Sequence, residues 1–383
     1  MKFTVKGTEL NQILSKVIKG FNSKEDNSYV AFKLKEKSGE LIVTARSRAT
    51  FFEGKVKAQA IEIEDDEPRV YHLDGVKLNQ LVSILPNAPV NIEFSITDET
   101  RSFTIKTATS KYKLPVLSET PLAPVPEVVE YVTVDALDFM NTAKNLIKIV
   151  STDPSTQEHQ VSCMHFAMQP KEVKMLATDA YALGSITVES SSVDLENKKD
   201  VLIRHTEVAT LLGSFSAGET LTLVGSDEMF GYTDENGTLS LVGVINMVPL
   251  DVAQVEGIAR KDNTVLVDKG ELKSAIETVN KLSPSDETVD LEISADGTQI
   301  RVSNRYGDYI DIVPTDAKLT SPGKATFATS VLLKSMNPAH SGPVRLEFGD
   351  LSKEEHGAVK IVSLQADGTD DEKTSLLATK MMG

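Results

Sequence analysis

KFTVKGTELNQILSKVIKGF, residues 2–21, decides the fold. Phe3 and Val5 alternate with polar residues as in a half-buried strand. Leu10, Ile13, Leu14, Val17 and Ile18 then fall on one helical stripe, so a short strand runs directly into an amphipathic helix. The pattern returns five times. VYHLDGVKLNQLVSILP (70–86) places Leu78, Leu81, Val82 and Leu85 on a matching stripe and stops at Pro86. YVTVDALDFMNTAKNLIKIV (131–150) does the same with Phe139, Ala143, Leu146, Ile147 and Val150. VLIRHTEVATLLGSF (201–215) carries Val208, Leu211, Leu212 and Phe215. TVLVDKGELKSAIETVNKL (264–282) carries Leu272, Ala275, Ile276 and Val279, with Asp268 and Glu271 spaced as a capping box. ATFATSVLLKSMNPA (325–339) is shorter and carries Leu332, Leu333 and Met336.

The starts lie about 60 to 70 residues apart, a period that marks a repeat architecture. Between them the chain alternates apolar and polar residues in runs such as YVAFKLKE, ELIVTARS, VNIEFSIT, SFTIKTAT, LTLVGS, VDLEISAD, QIRVSN and VRLEFGD. Turn signals such as DENGT and ADGT break these runs. The unit is therefore strand, helix, then about three strands, and two units make a domain. Three α+β domains follow, at 1–122, 123–252 and 253–383. The proline-rich stretch SETPLAPVPEV (118–128) is the clearest linker, and a second joint falls near 249–263. Leftover strand edges at domain ends need covering, and a repeated head-to-tail contact either closes into a ring or runs on as a filament.

The 383 residues carry 56 Asp and Glu against 40 Lys and Arg, a formal charge of -16, which opposes simple electrostatic capture of nucleic acid or an anionic membrane. Cys163, the one cysteine, lies in the apolar run VSCMHF and reads as a buried thiol. No apolar run reaches membrane-span length and the start has no signal-peptide core, so the expectation is a soluble cytoplasmic protein. His72, His159, His165, His205, His340 and His356 show no paired ligand spacing, and neither GxxxxGK nor GxGxxG occurs. No enzyme and no cofactor are expected, and the acidic DGTDDE (367–372) reads as a solvated hairpin loop rather than a cation site. A β-rich structural assembly protein is the alternative, but it gives no reason to gather lysines on helices.

In order along the chain, MKFTV with its helix, ILP after the second helix, SKYKLPVL (110–117), LATDAYAL (176–183) and the apolar tail SLLATKMM resemble the bacterial DNA polymerase III beta subunit, the sliding-clamp family. The resemblance implies a head-to-tail homodimeric ring with helices inside, around duplex DNA, and sheets outside. It implies no catalysis, a clamp loader that opens the ring, and a replicative polymerase tethered through a hydrophobic peptide-binding cleft. Carried over by position, that cleft comprises Val161, Thr178, Asp179, Tyr181, Leu183, Pro249, Leu376 and Leu377. Ala180, Tyr181 and Ala182 stand where the family has glycine, histidine and arginine. The dimer interface maps to Tyr112, Leu114, Lys281 and Leu282, with Lys281 at a commonly aliphatic position.

The six helices carry slightly more Lys and Arg than Asp and Glu, reversing the balance of the whole chain. Lys16 with Lys19, Lys144 with Lys148, and Lys269 with Lys273 are neighbours on helix surfaces at i,i+3 or i,i+4, one pair per domain. Lys77, Arg204 and Lys334 add one cation to each second helix, and Lys24 lies in the loop FNSKEDN. These ten are the expected DNA-facing cations, holding phosphates without reading sequence.

Overall fold

The computed structural model describes residues 2–35, 37–62, 70–82, 84, 91–97, 102–118, 121–156, 159–193, 198–215, 218–250, 261–320, 323–339, 341–349, 358–365, 369–371 and 373–379. Among these the expected unit of strand, helix and strands occurs six times. The first is β1 (Lys2–Lys6), α1 (Gly7–Val17), β2 (Tyr29–Lys35), β3 (Glu40–Arg46) and β4 (Thr50–Glu62). The second is β5 (Val70–Leu73), α2 (Gly75–Val82), β6 (Asn91–Thr97), β7 (Ser102–Lys106) and β8 (Lys111–Ser118). The third is β9 (Val129–Asp135), α3 (Ala136–Leu146), β10 (Cys163–Gln169), β11 (Glu172–Thr178) and β12 (Ala182–Ser192). The fourth is β13 (Lys199–Arg204), α4 (His205–Ser214), β14 (Thr220–Gly225), β15 (Met229–Asp234) and β16 (Leu239–Gly243). The fifth is β17 (Asn263–Asp268), α5 (Lys269–Leu282), β18 (Thr288–Ile293), β19 (Gln299–Ser303), β20 (Ile310–Pro314) and β21 (Asp316–Lys318). The sixth is β22 (Gly323–Ala328), α6 (Thr329–Met336), β23 (Pro343–Phe348), β24 (Ala358–Ser363) and β25 (Thr374–Thr379).

The helix stripes read from sequence are buried: Leu10, Leu14 and Val17 of α1, Phe139, Ala143 and Leu146 of α3, and Leu272, Ile276 and Val279 of α5 all lie in the core. Leu85, Pro86, His340, His356 and parts of the 118–128, 249–263 and 367–372 stretches lie outside the described residues. Asp135 and Asp268 cap α3 and α5, each carboxylate accepting from the N–H three residues on at 2.9 Å. Helices press directly onto strands at two glycines. A Cβ on Gly54 would come within 2.6 Å of Ile13, and one on Gly184 within 2.7 Å of both Leu146 and Ile149.

In the first unit of each of the first two pairs, one long strand serves two sheets. β4 pairs β3 through Lys57 and then β1 from Ala58; β12 pairs β11 through Glu189 and then β9 from Ser190. The fifth unit splits the same strand into β20, paired with β19, and β21, paired with β17, with Pro314 at the break. The front half of the long strand also makes the joints. β4 receives β16 antiparallel, Phe51 opposite Leu241, and β12 receives β25 antiparallel, Leu183 opposite Leu377. Sheets thus run across both joints. Two edges remain by the same rule: β20, the outer strand of the sheet β20-β19-β18-β22, and the front of β8, whose pairing among described residues is to β7.

Polar contacts reinforce both joints. Lys16 of α1 is 6% exposed and its ammonium sits 2.5 Å from Asp234 at the end of β15. At the second joint, the part-exposed Lys334 of α6 lies 2.8 Å from Asp179.

Candidate functional site

The stretch ATDAYAL forms the tight connection from β11 to β12. Asp179 organises it: Oδ1 accepts from the N–H of Tyr181 at 3.0 Å and of Ala182 at 2.7 Å, while Oδ2 faces Lys334. The Thr178 hydroxyl donates to the Ala182 carbonyl at 2.7 Å and accepts from Ala180 N–H at 3.1 Å. This is why threonine and aspartate replace an ordinary glycine-asparagine turn: their side chains supply the bonds that close it. The Tyr181 ring is left 64% exposed at the rim.

Ala180 occupies the left-handed region, φ 78°, where its Cβ crowds the following carbonyl. A glycine would take this conformation without strain, and this chain adopts it with alanine. A β-branched side chain fits that region worse still. Ala180→Val is expected to destabilise the protein by about 2 kcal/mol, and Ala180→Gly to be neutral or slightly stabilising. Urea denaturation of the three proteins checks the order, and equal midpoints for Val and Gly would contradict the strained turn.

Strand alternation divides the cleft residues between two faces. Gly184 and Leu376 face the helices, with Leu376 close to Gly184 and fully buried in the core. Leu376 therefore does not line a surface cleft. Leu183 and Leu377, opposite each other, share the other face with Thr178 and Leu176 of β11, Cys163 and His165 of β10 and Leu202 of β13. On this outer face a small pit is lined by Gln160, Cys163, Leu176, Thr178, Leu183 and Leu250, with His165 and Leu202 beside them. Its space, about 20 Å³, holds at most one water. The segment 244–250 borders it through Leu250 and is tied down on both sides: Ile245 N–H donates to the Leu202 carbonyl at 2.9 Å, and the Gln160 amide donates to the Val248 carbonyl. Pro249 is half-buried beside Leu250, Val161 is half-buried one residue from Gln160, and neither lines the pit; nor does the buried Leu377.

The sequence reading missed Gln160, Cys163, His165, Leu176, Leu202 and Leu250. The signal for Leu176 was present in the two-residue alternation from Thr178; Cys163, His165 and Leu202 needed the register of β10 and β13, and Gln160 and Leu250 come from the turn before β10 and the segment after β16. His165 donates from Nε2 to Asp200 at 2.8 Å. Burial, opposed by that bond, holds its imidazole pKa below the usual histidine range. Burial likewise pushes the Cys163 thiol up, which fits the expected inert cysteine. Among the described residues no group of His, Cys, Asp or Glu is placed to hold a metal ion.

The ten expected channel cations do not share one environment. Lys16 is locked in its pair with Asp234 and faces no channel; the i,i+3 spacing from Lys19 did not reveal that a partner stood across a domain joint. Lys269 donates to the carbonyls of Asn337 at 3.3 Å and Ala339 at 2.5 Å, capping the end of α6, and Lys273 donates to the Asn337 amide oxygen at 3.3 Å. Burial, with the charge of Lys273, holds the Lys269 ammonium below the usual lysine range. Arg204 ends β13 opposite Cys163, beside the pit. Lys144 lies over the Phe215 ring at 6.0 Å, Lys148 reaches Asn145 at 3.3 Å, and Lys77 lies 4.0 Å from Asp74. Lys19 and Lys24 are exposed.

Of the expected interface residues, Leu114 is 4% exposed and belongs to the core beneath β8. A surface contact cannot use it. Tyr112 is half-buried against that core, whereas Leu282 is 53% exposed at the end of α5, next to the exposed Lys281. The apolar residues that stand out on the free edge β20 are Ile310 and Ile312, which the sequence reading did not single out.

No protein-family profile matches the sequence, and no curated protein sequence matches it. Solved structures do match. A putative DNA polymerase III beta subunit from Eubacterium rectale superposes with a TM-score of 0.82 at 13% identity, covering 100% of this chain and 99% of that one. The DNA polymerase III beta subunit of Thermotoga maritima gives 0.80 at 16% identity with 99% of each chain covered, and Caulobacter crescentus pol III beta gives 0.80 at 17% with 100% of each. The chain has, from end to end, the α+β fold of the sliding clamps.

Proposed function

We propose that the protein is a DNA sliding clamp, a ring of two chains that encircles duplex DNA and tethers the replicative polymerase, with no catalysis of its own and no cofactor. A clamp loader opens the ring, and the protein works in the cytoplasm. The observation that carries this reading is the joint rule. At both internal joints the front half of a long strand takes the last strand of the next domain, leaving β20 at one end of the chain and β8 at the other. Applied once more, the rule joins β20 of one copy to β8 of a second, a heterologous contact that closes when the rotation permits. The three domains are proposed at 1–122, 123–252 and 253–383. Full-length likeness to clamp structures favours this reading over a structural assembly protein.

The ties made by the other cations support a shorter set of phosphate contacts. Lys19, Lys24, Lys144, Lys148 and the exposed part of Lys77 are the proposed contacts, while Lys16 holds a joint and Lys269, Lys273 and Lys334 are tied to α6 or the cleft turn. Reversal of Lys19, Lys144 and Lys148 to Glu is expected to reduce loader-dependent polymerase stimulation several-fold at low salt and less at higher salt, where phosphate contacts are already screened. Stimulation equal to wild type across the salt range would remove α1 and α3 from the DNA path. Negative-stain images of the wild type test the shape: an annulus of two chains is expected, and open filaments or compact monomers would refute ring closure.

The peptide-binding cleft is proposed at the pit, with Thr178, Leu183, Leu250 and the rim ring of Tyr181, and with Asp179 acting through the turn it holds.

A further inference from the structure

The strands that carry the pit lead, on the same outer face, into a second depression of about 230 Å³. Lys174 stands two residues along β11 from Leu176, and Ser185 two along β12 from Leu183. Ser375 continues the floor on β25, and Lys360 of β24 lies directly opposite Leu377. Same-face neighbours on a strand are about 7 Å apart, so an extended peptide anchored in the pit reaches this groove with its next two or three residues.

The carboxylates around the groove are already held. Asp370 receives Arg345 at 2.5 and 2.6 Å, Asp371 accepts from the Thr374 hydroxyl at 2.5 Å, and Glu347 receives Arg345 at 2.8 Å and Lys261 at 3.3 Å. Lys373 is taken by Glu189 at 2.7 Å. Lys174 and Lys360 have no carboxylate within ion-pair distance among the described residues. In a chain of formal charge -16, two uncommitted ammonium groups beside an apolar pit form a local site for negative charge.

We infer that this groove receives the acidic residues of the peptide that docks in the pit, so that the partner motif joins an apolar anchor to a short acidic stretch. The inference rests on the clamp reading of the pit. The probes are fluorescein-labelled eight-residue peptides with a Leu-Leu anchor and three Asp residues before or after it, and the same peptides with Asn for Asp. Their binding to the full chain is read by anisotropy at 50 and 300 mM NaCl. One acidic peptide is expected to bind about three- to tenfold more tightly than its Asn counterpart at low salt, with the advantage shrinking at high salt. Lys174→Glu/Lys360→Glu is expected to abolish the advantage and leave the Asn peptide unchanged. Leu183→Ala should weaken both. Equal affinity of Asp and Asn peptides, or equal losses for both in the lysine variant, would overturn the groove while leaving the pit intact. Failure of every peptide to bind the wild type would overturn the pit reading, and the groove with it.

Discussion

The variant Ile310→Asp/Ile312→Asp is expected to sediment as a monomer at micromolar concentration with the secondary structure of the wild type. Both residues lie on the free edge β20, 44% and 56% exposed, where a water-facing strand has little reason to carry isoleucine. On the proposed ring they meet β8 of the second chain, as Phe51 and Leu241 meet at the first internal joint. Fully burying an isoleucine contributes about 1.5 to 3 kcal/mol; with about half of each side chain still exposed, each interface loses roughly 1.5 to 3 kcal/mol, and aspartate adds the cost of desolvating a charge. The substitution touches no described core contact of its own chain. A dimer mass unchanged from wild type would place the subunit contact elsewhere. Leu114 is unsuited to this test, since its burial beneath β8 makes a polar substitution a folding defect.

Lys16→Met should lower stability by about 3 kcal/mol, because removing one partner of a buried ion pair strands the other. Asp234 keeps two backbone donors, the N–H groups of Asn236 at 3.0 Å and Thr238 at 2.9 Å, which places the loss at the lower end of the usual 3 to 5 kcal/mol. The pair joins α1 to the β15–β16 turn across the first joint, so the loss should appear as an earlier opening of that joint. The midpoint of urea unfolding, together with hydrogen exchange in β4 and β16, reads this. Adding Asp234→Asn should recover part of the loss by removing the stranded charge. A cost under 1 kcal/mol for Lys16→Met would mean that the pair is solvated and the joint is held by strand pairing alone.

The repeat was legible because each helix shows its stripe locally: Leu10, Leu14 and Val17 need only their own spacing to declare the buried face. The cap at Asp268 was readable for the same reason, while the equivalent cap at Asp135 was seen only in the structure. Contacts across joints were not. Nothing near Lys16 announces Asp234, 218 positions away, and a lysine on a helix surface has the same sequence signature whether it meets water, phosphate or a carboxylate. The cleft was half legible. ATDAYAL located the turn, but Leu376 and Leu377 were assigned together although neighbours on a strand face opposite sides, so one belongs to the core. Cys163 and Leu202 reach the pit through the pairing of β10 with β11 and β13, a register that no local pattern prints.

Retention on circular DNA tests the central claim most directly. Protein loaded by a cognate clamp loader onto nicked circular duplex should remain bound through gel filtration in high salt, where phosphate contacts are screened, and should be lost when the circle is cut once. Equal retention on circular and linear DNA, or loss from both as salt rises, would contradict a topological ring.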